Sequence, residues 1–228
     1  MAVIYHEFIY IADLLGVAVF AVTGAIAAPG KRLDILGVIV LGIVTSLGGG
    51  TIRDISLDLH PVVWVEDTTY LWVAIGSSVA AFFASRHISS PRRSLLFLDA
   101  LGLALFSILG LQKALAAGAP EEVAVMMAVI TGVAGGMIRD LLTGQIPLVL
   151  QRNGELYATC ALLGALAYIF AYSRLGEASP WLDISTMAII FISRMASLVA
   201  GLQLPEFIVR GHRLESPAEA RNMESKEL

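Results

Sequence analysis

Apolar residues run through this chain in stretches about as long as a bilayer is thick, and polar residues collect between them. A spanning helix needs roughly 20 mostly apolar residues. Stretches near 8–28, 34–60, 68–86, 94–117, 120–147, 154–173 and 181–203 fit that length, so the pattern predicts an all-α membrane protein of seven transmembrane helices. Pro29-Gly30, Pro91 and Pro180 fall between the stretches, where helix breakers belong. Residues 1–204 read as a single transmembrane domain and 205–228 as a polar tail.

Composition agrees with this reading. The 228 residues are 57% hydrophobic and 15% charged, with a mean hydropathy of +0.79; soluble domains carry about 25% charged residues. A net charge of −4, with no basic patch interleaved with aromatics, argues against a nucleic-acid partner. The single cysteine, Cys160, allows no internal disulfide and reads as a small buried hydrophobe. No His/Cys cluster has metal-ligand spacing, and no nucleophile elbow, P-loop or zinc-protease motif is present. Neither an enzyme nor a cofactor is therefore expected, with bound lipid allowed for. Ala25-Ile26-Ala27 looks faintly like a signal cleavage site. The first seven residues, however, carry no Lys or Arg, and the stretch has the length of a full span.

Lysines and arginines give an orientation. With seven spans, Lys31, Arg32, Arg86, Arg92, Arg93, Arg152, Arg210, Arg213, Arg221 and Lys226 share one side. The other side has Arg174 with Glu66, Asp67, Glu121 and Glu122. This predicts an inner (plasma) membrane protein with its N-terminus outside and its tail cytoplasmic.

The chain also repeats itself after 86 residues. Asp13, Gly16, Ala18, Phe20 and Gly24 meet Asp99, Gly102, Ala104, Phe106 and Gly110. Thr45 meets Thr131, Gly49-Gly50-Thr-Ile-Arg53-Asp54 meets Gly135-Gly136-Met-Ile-Arg139-Asp140, and Pro61 meets Pro147. Between 13 and 61 no gap is needed, and 14 of the 49 positions are identical. Each unit holds three spans, an odd number, so the second copy enters the membrane from the opposite side. Two inverted three-helix repeats, about 8–90 and 94–175, are thus followed by a seventh helix at 181–203. Such inverted repeats place a working site near the midplane.

Spans two and five carry the chemistry. Gly48-Gly49-Gly50 and Ala134-Gly135-Gly136 sit near their middles. Each helical glycine costs roughly 1 kcal/mol against alanine. Two readings are open: close helix packing, or a break that lines a wet cavity. Recurrence at one depth, each time before Arg-Asp, favours the break. Broken ends would aim carbonyls, each end worth about half a negative charge, at mid-membrane. Thr45, Ser46 and Thr131 would add hydroxyls there or else bond back within their own helices. The intramembrane charges are Asp13, Arg53, Asp54, Asp58, Asp99, Arg139, Asp140, Arg194 and, near an end, Lys113. Charges at that depth must face partners or water. Matching depths predict the pairs Asp13–Arg53 and Asp99–Arg139. Asp54 and Asp140 either offset a helix N-terminus or contact an ion. Arg194 either bonds to the carbonyls of the broken helices or pairs with an aspartate, and Lys113 either snorkels to the surface or gates a pore.

Glycine-rich segments in spans two and five, each followed by x-x-Arg-Asp, in a three-plus-three-plus-one chain, resemble the prokaryotic branch of the trimeric intracellular cation channels over about residues 8–203. The resemblance implies a homotrimer, a pore inside each protomer lined by spans two and five, and passage of monovalent cations, chiefly potassium. Ala134 departs from the pattern, standing where the first repeat has Gly48. The rival reading is a carrier for a small zwitterion such as glycine.

Overall fold

A computed structural model describes residues 2–28, 30–31, 33–85, 90–151, 156–176 and 178–201. The polar tail and the charges Arg32, Arg86 and Arg152 lie outside the described residues. The described chain is helical: α1 Ala2–Ala27, α2 Ile35–Ser56, α3 Val63–Glu66, α4 Thr69–Ala84, α5 Pro91–Ala116, α6 Glu121–Leu142, α7 Tyr157–Leu175 and α8 Pro180–Ala200, with a 3-10 turn at Leu148–Leu150. Six helices are long and apolar enough to cross a membrane, and α4, of 16 residues, is a shorter apolar seventh. Local chemistry sets the ends. The Asp34 carboxylate caps α2 by accepting from the Gly37 N–H at 2.7 Å. Pro91 and Pro180 open α5 and α8, where a missing N–H costs nothing. Gly176 and Gly201 close α7 and α8 with φ of 76° and 64°.

Helices α1, α2 and α4 pack as one bundle, and α5, α6 and α7 as its counterpart. The bundles meet through α1 against α5 and α2 against α6, while α8 lies on α5 and α7. The repeat is visible in the packing. Phe20 lies against Gly102, Phe106 lies against Gly16, and the two rings meet with centroids 5.2 Å apart. Large apolar side chains such as Trp72, Phe170, Trp181 and Val199 point outward, the expected surface of a protein whose solvent is lipid.

Two expectations need correction. Spans two and five end at Ser56 and Leu142, not at 60 and 147. More important, neither helix breaks at its glycines: α2 is continuous through Gly48-Gly49-Gly50 and α6 through Ala134-Gly135-Gly136. The glycines let the two helices cross backbone to backbone. A Cβ on Gly49 would stand 2.4 Å from the Thr131 carbonyl oxygen, and one on Gly135 2.2 Å from that of Thr45. Close packing explains the central glycines, and no carbonyl ends converge at mid-membrane.

Candidate functional site: two cavities and a charged neck

The Arg-Asp pairs sit in the last turns of α2 and α6, not after breaks. Both halves use the same local device. Arg53 Nε donates to Asp54 Oδ1 at 2.8 Å, and Arg139 Nε to Asp140 Oδ1 at 2.9 Å. The other carboxylate oxygen accepts the first free N–H of the returning segment: Val63 to Asp54 at 3.1 Å, Leu148 to Asp140 at 2.9 Å. Each aspartate therefore offsets a helix N-terminus, but that of the short helix or 3-10 turn following Pro61 or Pro147. Gly50 and Gly136 leave room for the guanidinium groups, whose Nη2 atoms come within 3.5 and 3.6 Å of where a Cβ would sit.

The predicted pair Asp99–Arg139 forms, with Nη1 2.7 Å from Oδ1 and both side chains almost fully buried. The predicted pair Asp13–Arg53 makes no direct ion pair, although both side chains line the same cavity. Arg53 reaches Asp54 through both Nε and Nη2 at 2.8 Å, and Asp13 accepts from the Tyr70 hydroxyl at 3.1 Å. Two substitutions across the repeat account for the difference. Thr23, whose hydroxyl accepts from Arg139 Nη1 at 3.1 Å, has Leu109 as its equivalent, so no hydroxyl draws Arg53 across. Lys113 stands where repeat one has Ala27, and its ammonium lies 3.4 Å from Asp54. Lys113 thus neither snorkels nor stands alone. Its partner is the same carboxylate that holds Arg53.

Of the three hydroxyls before the glycines, Thr45 bonds back to the Leu41 carbonyl at 2.6 Å and Ser46 to Ile43 at 3.3 Å. The Thr131 hydroxyl is buried without a hydrogen-bond partner. Gly48 lies against Ile138, while Ala134 fills the matching position on α6 and is half-buried. Arg194 is buried with its guanidinium 4.8 Å from the centre of the Tyr157 ring, a cation–π contact between α8 and α7. Asp58 is not intramembrane: it lies in the turn after α2, its side chain 97% exposed beside His60.

Sequence reasoning missed the tyrosines. Tyr70 bonds Asp13 and Tyr157 bonds Asp99, equivalent roles at an offset of 87. That one-residue slip hides them from a gapless comparison.

Two cavities open at opposite ends of α1 and α5. One, of about 480 Å³, is lined by Tyr10, Asp13, Arg53, Glu66, Asp67, Tyr70, Leu109, Gln112 and Lys113 among others. The other, of about 370 Å³, is lined by Ile26, Lys31, Arg92, Asp140, Thr143, Gln145 and Leu148 among others. Between them lies the α2–α6 crossing at Gly49 and Gly135, flanked by the buried Asp99–Arg139–Asp140 cluster. Charged side chains line both cavities, and the crossing between them is packed backbone to backbone. Around it stand six acids (Asp13, Asp54, Glu66, Asp67, Asp99, Asp140) and five bases (Lys31, Arg53, Arg92, Lys113, Arg139), the two bases Lys31 and Arg92 at the smaller cavity. Each arginine has an acid in contact. The remaining field is negative.

Comparison with known proteins fits this geometry. The family model described as "Glycine transporter" matches residues 10–86 and 96–173, one match per repeat. The UPF0126 inner membrane protein YadS of Escherichia coli (strain K12) is 42% identical over 200 residues, covering 87% of this chain and 96% of that protein. Among solved structures, the trimeric intracellular cation channel orthologue from Rhodobacter sphaeroides superposes with a TM-score of 0.80 at 43% identity, covering 85% of this chain and 98% of that one. A second structure, solved for the basis of conductance through these cation channels, superposes with a TM-score of 0.76 at 34% identity, covering 89% and 98%.

Proposed function

The chain belongs to the UPF0126 membrane protein family, the bacterial branch of the trimeric intracellular cation channels, and from that premise we propose that it is a potassium-permeable monovalent cation channel with one path inside each protomer of a homotrimer. The observation that carries the reading is the pair of cavities that open at opposite ends of α1 and α5 with charged side chains in both, separated by the α2–α6 crossing. Excess acid along that line favours cations over anions. The two arginines do not repel a passing cation outright, because Asp54 and the Asp99–Asp140 pair neutralise them. With Gly49 and Gly135 in backbone contact and Lys113 on Asp54, the neck is closed. Conduction then requires Lys113 to leave Asp54 and the crossing to loosen. The N-terminus faces outside and the tail the cytoplasm, as the Lys/Arg distribution favours.

Planar-bilayer recording of the purified protein tests the reading. Unitary currents in KCl whose reversal potential follows the potassium gradient are expected. One observation favours the carrier alternative: the larger cavity offers Lys113 and Arg53 for a carboxylate, and Asp13, Glu66 and Asp67 for an ammonium group. Saturable glycine uptake into proteoliposomes, without unitary current, would select that reading.

A further inference from the structure

A second polar cluster lies outside the Arg-Asp network, where α8 meets α1, α5 and α7. Asp183, in the first turn of α8, is fully buried. Gln112 Nε2, with two hydrogens to donate, lies within hydrogen-bonding reach of three acceptors: Asp183 Oδ1, the Tyr5 hydroxyl at 2.9 Å and the Tyr168 hydroxyl at 3.4 Å. Both tyrosine hydroxyls also stand close to the Asp183 carboxylate. Two acceptors remain over: Asp183 Oδ2 and Gln112 Oε1 are buried with no hydrogen-bond partner. None of the ion pairs among the described residues includes Asp183.

A carboxylate withdrawn from water needs a counter-charge or a full set of donors. Here oxygen acceptors exceed the donors around a single formal negative charge. That surplus complements a small cation bound by oxygens. It does not suit calcium, which takes 6–8 oxygens and draws on several carboxylates. We propose that Asp183, Gln112, Tyr5 and Tyr168 form a binding site for one monovalent alkali cation, which ties α8 onto the two repeats. Gln112 also lines the larger cavity, so the ion enters from that mouth without crossing the neck. The site stands whether or not the neck conducts.

The test is thermal unfolding of the purified full chain in KCl, NaCl and N-methyl-D-glucamine chloride at equal ionic strength. A ligand that binds only the folded state raises its unfolding temperature in proportion to the logarithm of its concentration. The wild type is expected to gain a few degrees in potassium or sodium over the organic cation, and the gain is expected to keep rising with the logarithm of the alkali concentration. Asp183→Asn, which keeps the shape and removes the charge, is expected to lose that increment. Tyr168→Phe, which removes one oxygen, is expected to move the alkali concentration at which that rise begins several-fold higher. Equal unfolding temperatures in all three salts overturn the proposal. So does an alkali increment undiminished in both variants, which would place the ion elsewhere. A gain on acidification with no alkali dependence assigns the position to a proton and also overturns it. Should Asp183→Asn not fold, Tyr168→Phe decides alone.

Discussion

Arg139 lies 2.7 Å from Asp99 and 2.9 Å from Asp140, whereas its repeat equivalent Arg53 shares Asp54 with Lys113. The two arginines occupy the same place in the motif but not in the charge balance. Replacing Arg139 by methionine strands two buried carboxylates. Breaking a buried pair costs about 3–5 kcal/mol, so Arg139→Met is expected to lower the yield of folded protein sharply. Arg53→Met leaves Asp54 with Lys113 and is expected to cost clearly less. Thermal unfolding of the two variants side by side checks the order. Equal losses would mean that Lys113 does not hold Asp54.

The helix crossing admits nothing larger than glycine. Gly49→Ala or Gly135→Ala drives a methyl into a carbonyl oxygen of the facing helix. Overpacking of this kind costs about 1–3 kcal/mol. Gly76→Ala, with nothing within 4 Å of its new methyl, is expected to be neutral or mildly stabilising. If all three variants unfold at one temperature, the crossing is looser than described.

Lys113 carries the proposed closure. Lys113→Met keeps the stem and removes the charge that bridges to Asp54 at the mouth of the larger cavity. Open probability in bilayer recordings is expected to rise several-fold at matched voltage. An unchanged open probability, with folding intact, would remove the lysine from the gate.

Outside the helices, the side chain and backbone N–H of Thr69, joined by the Tyr10 hydroxyl at 2.8 Å, hold the Asp67 carboxyl below the usual carboxylate range. For a depressed acid the tie between α1 and the start of α4 is present at neutral pH and is lost as pH falls through the folded-state value. Tyr10→Phe is expected to move the Asp67 titration upward, towards the ordinary value, as read by site-specific carboxyl NMR. A titration unmoved by that change would mean that Thr69 alone sets it.

Much of this molecule was legible in the chain. Pro91 and Pro180 were legible as marking helix boundaries, although the structure places each inside its helix as the first residue rather than between helices. The duplication was legible too, because an inserted pair of equivalent bundles must preserve the residues at their mutual contacts: Phe20 with Gly102, Phe106 with Gly16. Asp99–Arg139 was also readable, since depth in a helix is a linear function of residue number. The glycine segments show where such reasoning stops. A run of glycine lowers the cost of a break and of a close approach alike, and only the position of the opposing helix decides between them. In this fold the Thr131 and Thr45 carbonyls stand against Gly49 and Gly135, so close approach prevails.

The sequence by itself determined the solvent, the number of apolar spans and the inverted pairing, because each follows from hydrophobic length or from arithmetic on an odd number of spans. Tertiary structure alone decided which partner each buried charge takes. Arg53 and Arg139 share a motif, yet Leu109 in place of Thr23 and Lys113 in place of Ala27 send them to different carboxylates. The same holds for Asp183 and Gln112, 71 residues apart in the chain and in contact in the fold. Charge pairing depends on distances of a few ångströms across helices, and no one-dimensional pattern encodes those.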